Sequence, residues 1–261
     1  TVIHAAGKTV TPGFIDPHTH VDKTILLAPE LEPYLKQGVT TVVTGNCGQS
    51  PAPLGDEVFY GSMQNFQYLE QTGADLFEMV SFFQDKARAK KAMKEIFSVD
   101  LDWDSFGSFW EKAGTLPLGG NIVPLAGYNA IRTAVMGKDC LRPARPDELK
   151  QLELLTERCM EQGAFGLSTG RDPNYVPGPW ASDEEMIPML RIVKKYDRIF
   201  TSHTYNVDSR GKNDRMGGYR EMMGQAKAAQ VRSNVSHVHI SGMAGTAREA
   251  ALAAERTLEY F

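Results

Sequence analysis

An α/β fold built from parallel βα units is what this sequence predicts, on three observations. Six short apolar segments carry few charges before their polar ends, as strands covered on both faces do. Helical patterns fall between them. Histidine is scarce, six in 261 residues, yet five of the six sit at or near the far ends of those segments. In an α/β barrel the carboxyl ends of the strands form one face, and active sites sit there.

The elements follow in order. Residues 1–12 read as a strand leading into a turn at TPG, a remnant of a small N-terminal β domain, with His4 an exposed strand histidine. The barrel-type part is expected over 13–261. Its strand candidates are 13–20 (GFIDPHTH), 40–48 (TTVVTGNCG), 121–129 (NIVPLAGYN), 164–170 (AFGLSTG), 199–205 (IFTSHTY) and 234–242 (NVSHVHISG). The stretch 50–118 reads as an elaborated connection, with helical patterns at 76–97 and 104–113. Its basic run KARAKKAMK is expected to be a solvated helix face. A helix over about 146–162 has Pro146 in its first turn, Asp147 and Glu148 at the positive end of its dipole, and Gly163 as a stop. A second begins at Ser182, where Ser182 and Glu185 have capping-box spacing, with Pro188 about one turn in. Two more cover 217–230 and 246–261.

Composition bounds the function. A net charge of −4 without a long basic block argues against nucleic acid or an anionic membrane as the main partner. No run approaches the eighteen or so apolar residues of a membrane span, and no signal-peptide pattern opens the chain. The first residue is Thr1 rather than Met, which points to a start processed away or left out. Three cysteines argue against a disulfide framework and fit a reducing cytoplasm. Cys159 shares helical spacing with Leu152 and Leu155 and reads as a core thiol, whereas Cys140 carries no signal.

Cys47 is different. His18 and His20 end the first strand, and residues i and i+2 of a strand share a face. Cys47 ends the second strand, His203 the fifth, and His237 and His239 lie in the sixth. Imidazole and thiolate are the preferred ligands of Zn²⁺, and a catalytic site leaves one position open. His239 faces the same way as His237 at another depth, so only one of the two need bind.

The blocks PGFIDPHTHVD, QGVTTVVTGNCGQSPAPLG, VPLAGYNAIRTAVMG, EQGAFGLSTG, FTSHTY and NVSHVHISG resemble, in order and over almost the whole chain, the D-aminoacylase (N-acyl-D-amino-acid deacylase) branch of the amidohydrolase superfamily. The resemblance implies a TIM-type (β/α)8 barrel of the metal-dependent kind, incomplete here with six βα units. It implies one or two Zn²⁺ ions on His18, His20, Cys47, His203 and His237, the cysteine standing where other members use a carboxylated lysine. The implied reaction is hydrolysis of the amide bond of an N-acyl-D-amino acid, and the implied partner is that small molecule. The catalytic aspartate of the family is expected on an eighth strand, beyond Phe261, so the chain reads as a fragment with exposed strand edges and apolar faces.

Two regions depart from the family. After His203 the text is TYNVDSRGKND, without the usual arginine spacing, and after GLSTG it is RDPNYVPG. The substrate carboxylate calls for an arginine, so Arg171 and Arg210 are candidates by position, and Tyr205 for the carbonyl oxygen. Two other readings stand beside this one. A deaminase or cyclic amidase of the same superfamily is suggested by HTHVDKTILL, against GNCG and GAFGLSTG. A non-catalytic metal-binding fragment is the reading of another class.

Overall fold

The computed structural model describes residues 4–55, 58–60, 83–173, 175–205 and 215–236. Five of the expected strands are present and the sixth is met at its start: β1 (Phe14–Asp16), β2 (Val39–Thr44), β5 (Asn121–Gly127), β6 (Gly166–Gly170), β7 (Ile199–His203) and β8 (Arg232–Val235), with 237–242 of the sixth outside the described residues. They pair in the order β1-β2-β5-β6-β7-β8, every pair parallel. The result is a curled half-barrel. A short antiparallel pair, β3 (Val58–Tyr60) with β4 (Phe83–Asp85), lies in the long connection after β2.

Helices connect the strands: α1 (Glu32–Leu35), α2 (Lys86–Phe97), α3 (Phe106–Gly114), α4 (Tyr128–Met136), α5 (Pro146–Glu161), α6 (Asp183–Lys195) and α7 (Arg215–Ala229). Local chemistry explains their ends. Ser105 Oγ accepts from the Ser108 amide at 3.2 Å, and Ser108 Oγ accepts from the Ser105 amide at 3.1 Å, a reciprocal cap on α3. Pro146 opens α5, Glu148 accepts from the Arg145 amide at 2.7 Å, and Gly163, with φ +98°, ends the turn beyond it.

Two apolar clusters hold the layers together. In one, Leu167 and Phe200 from the sheet pack with Ile131 of α4, Leu152 and Cys159 of α5, Met186, Met189 and Leu190 of α6, and Met222 of α7. β6 is buried along its whole length, as a strand covered on both faces must be. The other cluster packs Val42 of β2 with Ile25, Met93, Trp103 and Phe109, so the elaborated connection is a cover for β2. Trp103 pins that cover by donating to the Pro51 carbonyl at 2.9 Å. Lys90, Lys91 and Lys94 of α2 are exposed, as a solvated face should be. At the β1 edge, Phe14 and Ile15 are exposed.

Three expectations are corrected. Residues 4–12 hold no strand, though His4 is exposed. The helical pattern over 76–97 is strand at Phe83–Asp85 and helix only from Lys86, and residues 61–82 lie outside the described set. The Ser182–Glu185 capping box does not form through side chains. Glu185 turns inward instead and accepts from Tyr128 Oη at 2.7 Å and Arg132 Nε at 2.7 Å. The helix predicted at 246–261 lies outside the described residues.

Arg132 is wholly buried, and its guanidinium also donates to the carbonyls of Cys140 and Arg142. This network ties α4 to α6. Removing one partner of a buried ion pair strands the other charge. Glu185→Ala is therefore expected to destabilise the fold by about 3–5 kcal/mol. Urea unfolding followed by circular dichroism measures it, and a loss below about 1 kcal/mol would show that the guanidinium is satisfied without the carboxylate.

Candidate metal centre

The site forms beyond the ends of β1, β2 and β7. β1 stops at Asp16, so His18 and His20 stand on the following loop rather than in the strand. The loop still brings them together. The His18 amide donates to Asp16 Oδ1 at 3.1 Å, and both the amide and the hydroxyl of Thr19 donate to the Val43 carbonyl, at 2.8 and 2.9 Å. The HTH loop is thus strapped to the end of β2. The two rings meet edge to face with centroids 5.4 Å apart.

Cys47 is likewise past its strand, on a turn. Gly45 and Gly48 have φ of +79° and +72°, and Cys47 itself has φ +58°. Positive φ is uncommon for a residue with a Cβ and is retained where surrounding structure imposes it. The imposing contacts are visible. The Gly48 amide donates to Ser168 Oγ at 3.0 Å, and Ser168 Oγ donates to the Gly45 carbonyl. Asp22, fully buried, accepts from Thr44 Oγ1 and from the Gly45 amide. A Cβ at Gly45 would run into the Leu125 carbonyl, and one at Gly48 into Asn129.

The turn aims Cys47 Sγ at the histidines. It lies 3.5 Å from His18 Nε2 and 3.7 Å from His203 Nδ1, a residue 156 positions away in sequence. Ligand atoms of His18, His20 and Cys47 all lie within 4.8 Å of one another. Zn–S of about 2.3 Å and Zn–N of about 2.0–2.1 Å give a tetrahedral S···N edge of roughly 3.6 Å. The donor types and their separations fit a zinc ion.

Electrostatics point the same way. Burial pushes the Cys47 thiol up to about 12, against the pull of Lys23 and a hydrogen bond from Tyr175. Burial, then the neighbouring His203, holds His18 below the ordinary histidine value, while Asp16 opposes. Burial lowers the Lys23 ammonium, with Asp22 and Cys47 opposing. Lys23 also donates to Gln49 Oε1. Left to itself, the pocket favours a neutral imidazole at His18 and a neutral thiol at Cys47. A dication is the partner that makes a thiolate favourable there.

Other expected site residues fare differently. Arg171 is corrected: its guanidinium is nine-tenths buried and engaged internally. Nε and Nη2 donate to Glu221 at 3.2 and 2.8 Å, and Nη1 donates to the carbonyls of Gly178 and Ala181. It braces the loop after β6. Tyr205 is half-buried, two residues past His203. Arg210, His237 and His239 lie outside the described residues.

Sequence reasoning missed two neighbours of His203. The Tyr175 ring lies 4.2 Å from the His203 ring, centroid to centroid, and Asp172 Oδ2 lies 3.4 Å from His203 Nε2. Their signal was available. RDPNY directly follows a predicted strand, at the end where site residues collect.

A parallel βα half-barrel with imidazoles and a thiol converging past its strand ends defines a βα-barrel protein with a candidate metal centre. Comparison with known proteins supplies the family. Residues 1–72 match the amidohydrolase family. The chain is 32% identical over 203 residues to D-aminoacylase of Alcaligenes xylosoxydans xylosoxydans, covering 78% of this chain and 35% of that protein. It is 34% identical to N-acyl-D-aspartate deacylase of the same organism, covering 77% and 34%. Among solved structures, D-aminoacylase, described as defining a novel subset of amidohydrolases, superposes with a TM-score of 0.66 at 28% identity, over 87% of this chain and 40% of that one. N-acyl-D-glutamate deacylase from Bordetella bronchiseptica, complexed with zinc and a phosphonate inhibitor, gives 0.66 at 25% identity, over 95% and 45%. The chain is similar to the amidohydrolase family in its first 72 residues and to these deacylases over most of its length. Its matched part spans about a third of the length of these curated relatives.

Thiol chemistry offers a direct check. Cys47, Cys140 and Cys159 are all buried and outside any disulfide, and burial pushes them to about 12, 11 and 12. The thiolate is the reactive form. At pH 7.5 without added metal, all three are expected to be alkylated by iodoacetamide far more slowly than in urea. Peptide mass spectrometry over time reads the rates; rapid labelling of Cys47 in the folded protein would show an exposed or ionised thiol.

Proposed function

We propose that this chain serves the zinc-dependent hydrolysis of the amide bond of N-acyl-D-amino acids, giving a free D-amino acid and a carboxylate. The observation that carries the reading is the position of Cys47 Sγ, 3.5 Å from His18 and 3.7 Å from His203. Similarity to D-aminoacylase and to two N-acyl-D-amino-acid deacylases supports the substrate class.

In this reading His18, His20, Cys47 and His203 hold the metal, and His237 is the further donor that the family resemblance suggests. A bound zinc ion supplies Lewis-acid activation of water and of the scissile carbonyl at neutral pH. Cys47 would bind as the thiolate and release its proton on loading. A thiolate can bridge, so the same donors serve one ion or two; a related D-aminoacylase structure addresses a binuclear metal centre.

The chain's own residues do the rest. The buried pocket around Cys47 and His18 keeps bulk water away from the reacting groups. Tyr205 is the candidate donor to the carbonyl oxygen. With Arg171 engaged internally, Arg210 remains the candidate cation for the substrate carboxylate. Three cysteines outside any disulfide suit a reducing, cytoplasmic setting. Among the described residues no helix is long and apolar enough to cross a membrane.

Turnover of N-acetyl-D-methionine, abolished by a chelator and restored by zinc, is the result expected. Turnover of a cyclic amide or a heteroaromatic amine in its place would favour the cyclic amidase or deaminase reading. Bound zinc with no hydrolysis of any of them would favour a non-catalytic metal-binding chain.

Cys47→Ala is expected to lose most of the bound zinc while the far-ultraviolet circular dichroism stays that of the wild type. Elemental analysis of the purified variant decides it, and unchanged zinc would remove Cys47 from the ligand set.

A further inference from the structure

His203 is gripped from both sides of its ring. Nδ1 faces Cys47 Sγ at 3.7 Å, and Nε2 faces Asp172 Oδ2 at 3.4 Å. A neutral imidazole has one N–H and one lone pair, and a carboxylate can only accept. With Asp172 at Nε2, the proton belongs on Nε2 and the lone pair on Nδ1 points toward the thiol. The Tyr175 ring lies against the face of the imidazole, 4.2 Å between centroids, and limits its rotation.

Asp172 is not on a loose loop. The amide of its neighbour Arg171 donates to the carbonyl of His203 itself at 2.8 Å. The Arg171 guanidinium fastens the same segment to Gly178, Ala181 and Glu221. The Tyr175 amide donates to the Asp172 carbonyl at 2.8 Å, and Asn129 Nδ2 donates to the Tyr175 carbonyl at 2.7 Å. The side chains of Asp172 and His203 are only 14% and 12% exposed. The loop after β6 is thus fastened at several points, with its carboxylate aimed at the far nitrogen of a histidine on the neighbouring strand.

We propose that Asp172 is a positioning residue of the metal centre: it accepts a hydrogen bond from the Nε2–H of His203 and so leaves Nδ1 as the lone pair that would bind the ion shared with Cys47. The proposal rests on the metal-binding reading above. It assigns a purpose to RDPNY, the stretch directly after β6. Outer partners of this kind typically set ligand orientation and basicity, and their loss costs roughly 10–100-fold in metal affinity.

Cobalt(II) titration of the wild-type chain, Asp172→Ala, Asp172→Asn and Asp172→Glu tests it, with urea unfolding of each as the control. The wild type should show a thiolate-to-cobalt absorption band. Asp172→Ala should bind cobalt roughly 10–100-fold more weakly, with the same band intensity per bound ion and an unchanged unfolding midpoint. Asp172→Glu should recover part of the affinity. Should the alanine variant not fold, the near-isosteric Asp172→Asn carries the comparison. Nitrogen-15 spectra of the metal-free wild type should show the His203 proton on Nε2, a readout that a merely structural aspartate would not set. Equal cobalt affinity in a folded Asp172→Ala, a proton on Nδ1, or a changed band pattern marking Asp172 as a direct ligand would each overturn the proposal. A wild-type chain without any thiolate band would instead sink the metal reading itself.

Discussion

The position of one sulfur atom organises this molecule. Cys47 Sγ stands between imidazoles from the loop after β1 and from the end of β7, strands that are not neighbours in the sheet. Holding it there costs free energy twice. The backbone at Cys47 is left-handed, which a residue with a Cβ resists, and burial disfavours the thiolate that a metal needs. Such costs persist only where the surroundings over-determine the conformation. Here Ser168 bridges the amide of Gly48 and the carbonyl of Gly45, and Asp22 fixes the end of β2.

Parallel pairing supplies the rest of the convergence. When every strand runs the same way, all carboxyl ends lie along one edge, and curling that edge brings distant sequence together. His203 comes within reach of Cys47 for this reason. Arg171 illustrates the same logic. Its charge is spent joining the loop after β6 to Glu221 of α7, and that bracing holds Asp172 and Tyr175 against His203. The arginine acts on the site through the backbone it stiffens.

This division explains what was legible in the sequence. Strand positions were legible because buried parallel strands read as short apolar runs whatever their neighbours. The helix at Pro146–Glu161 was legible because its start and stop signals are local. His18, His20, Cys47 and His203 were legible because rare donor types collected at strand ends. Partner choice was not legible. Glu185 has the spacing of a cap, yet the buried Arg132 outcompetes the Ser182 amide for it, since an unpaired guanidinium in the core costs more than an uncapped amide. Phe83–Asp85 fits a helical pattern, but pairing with Val58–Tyr60 decides it. Arg171 has the position of a substrate clamp, and only the fold reveals that Gly178, Ala181 and Glu221 already use it.

The thiol and the small residues of β6 belong to a single solution. β6 reads GLSTG and passes directly beneath the Cys47 turn. A Cβ on Gly170 would collide with the Cys47 carbonyl and the Tyr175 ring, and Ser168 is occupied as the bridge to Gly45 and Gly48. A long ligand side chain rising from this strand into the site has no room while the turn leans on it. If the strand is to support the turn, the donor has to come from the turn. Cysteine suits that place, because a short side chain on a bent backbone can reach the histidines where a longer one would overshoot. The left-handed turn, the glycine-rich strand and the sulfur donor are therefore mutually required, and relaxing any of the three would move the sulfur away from His18 and His203.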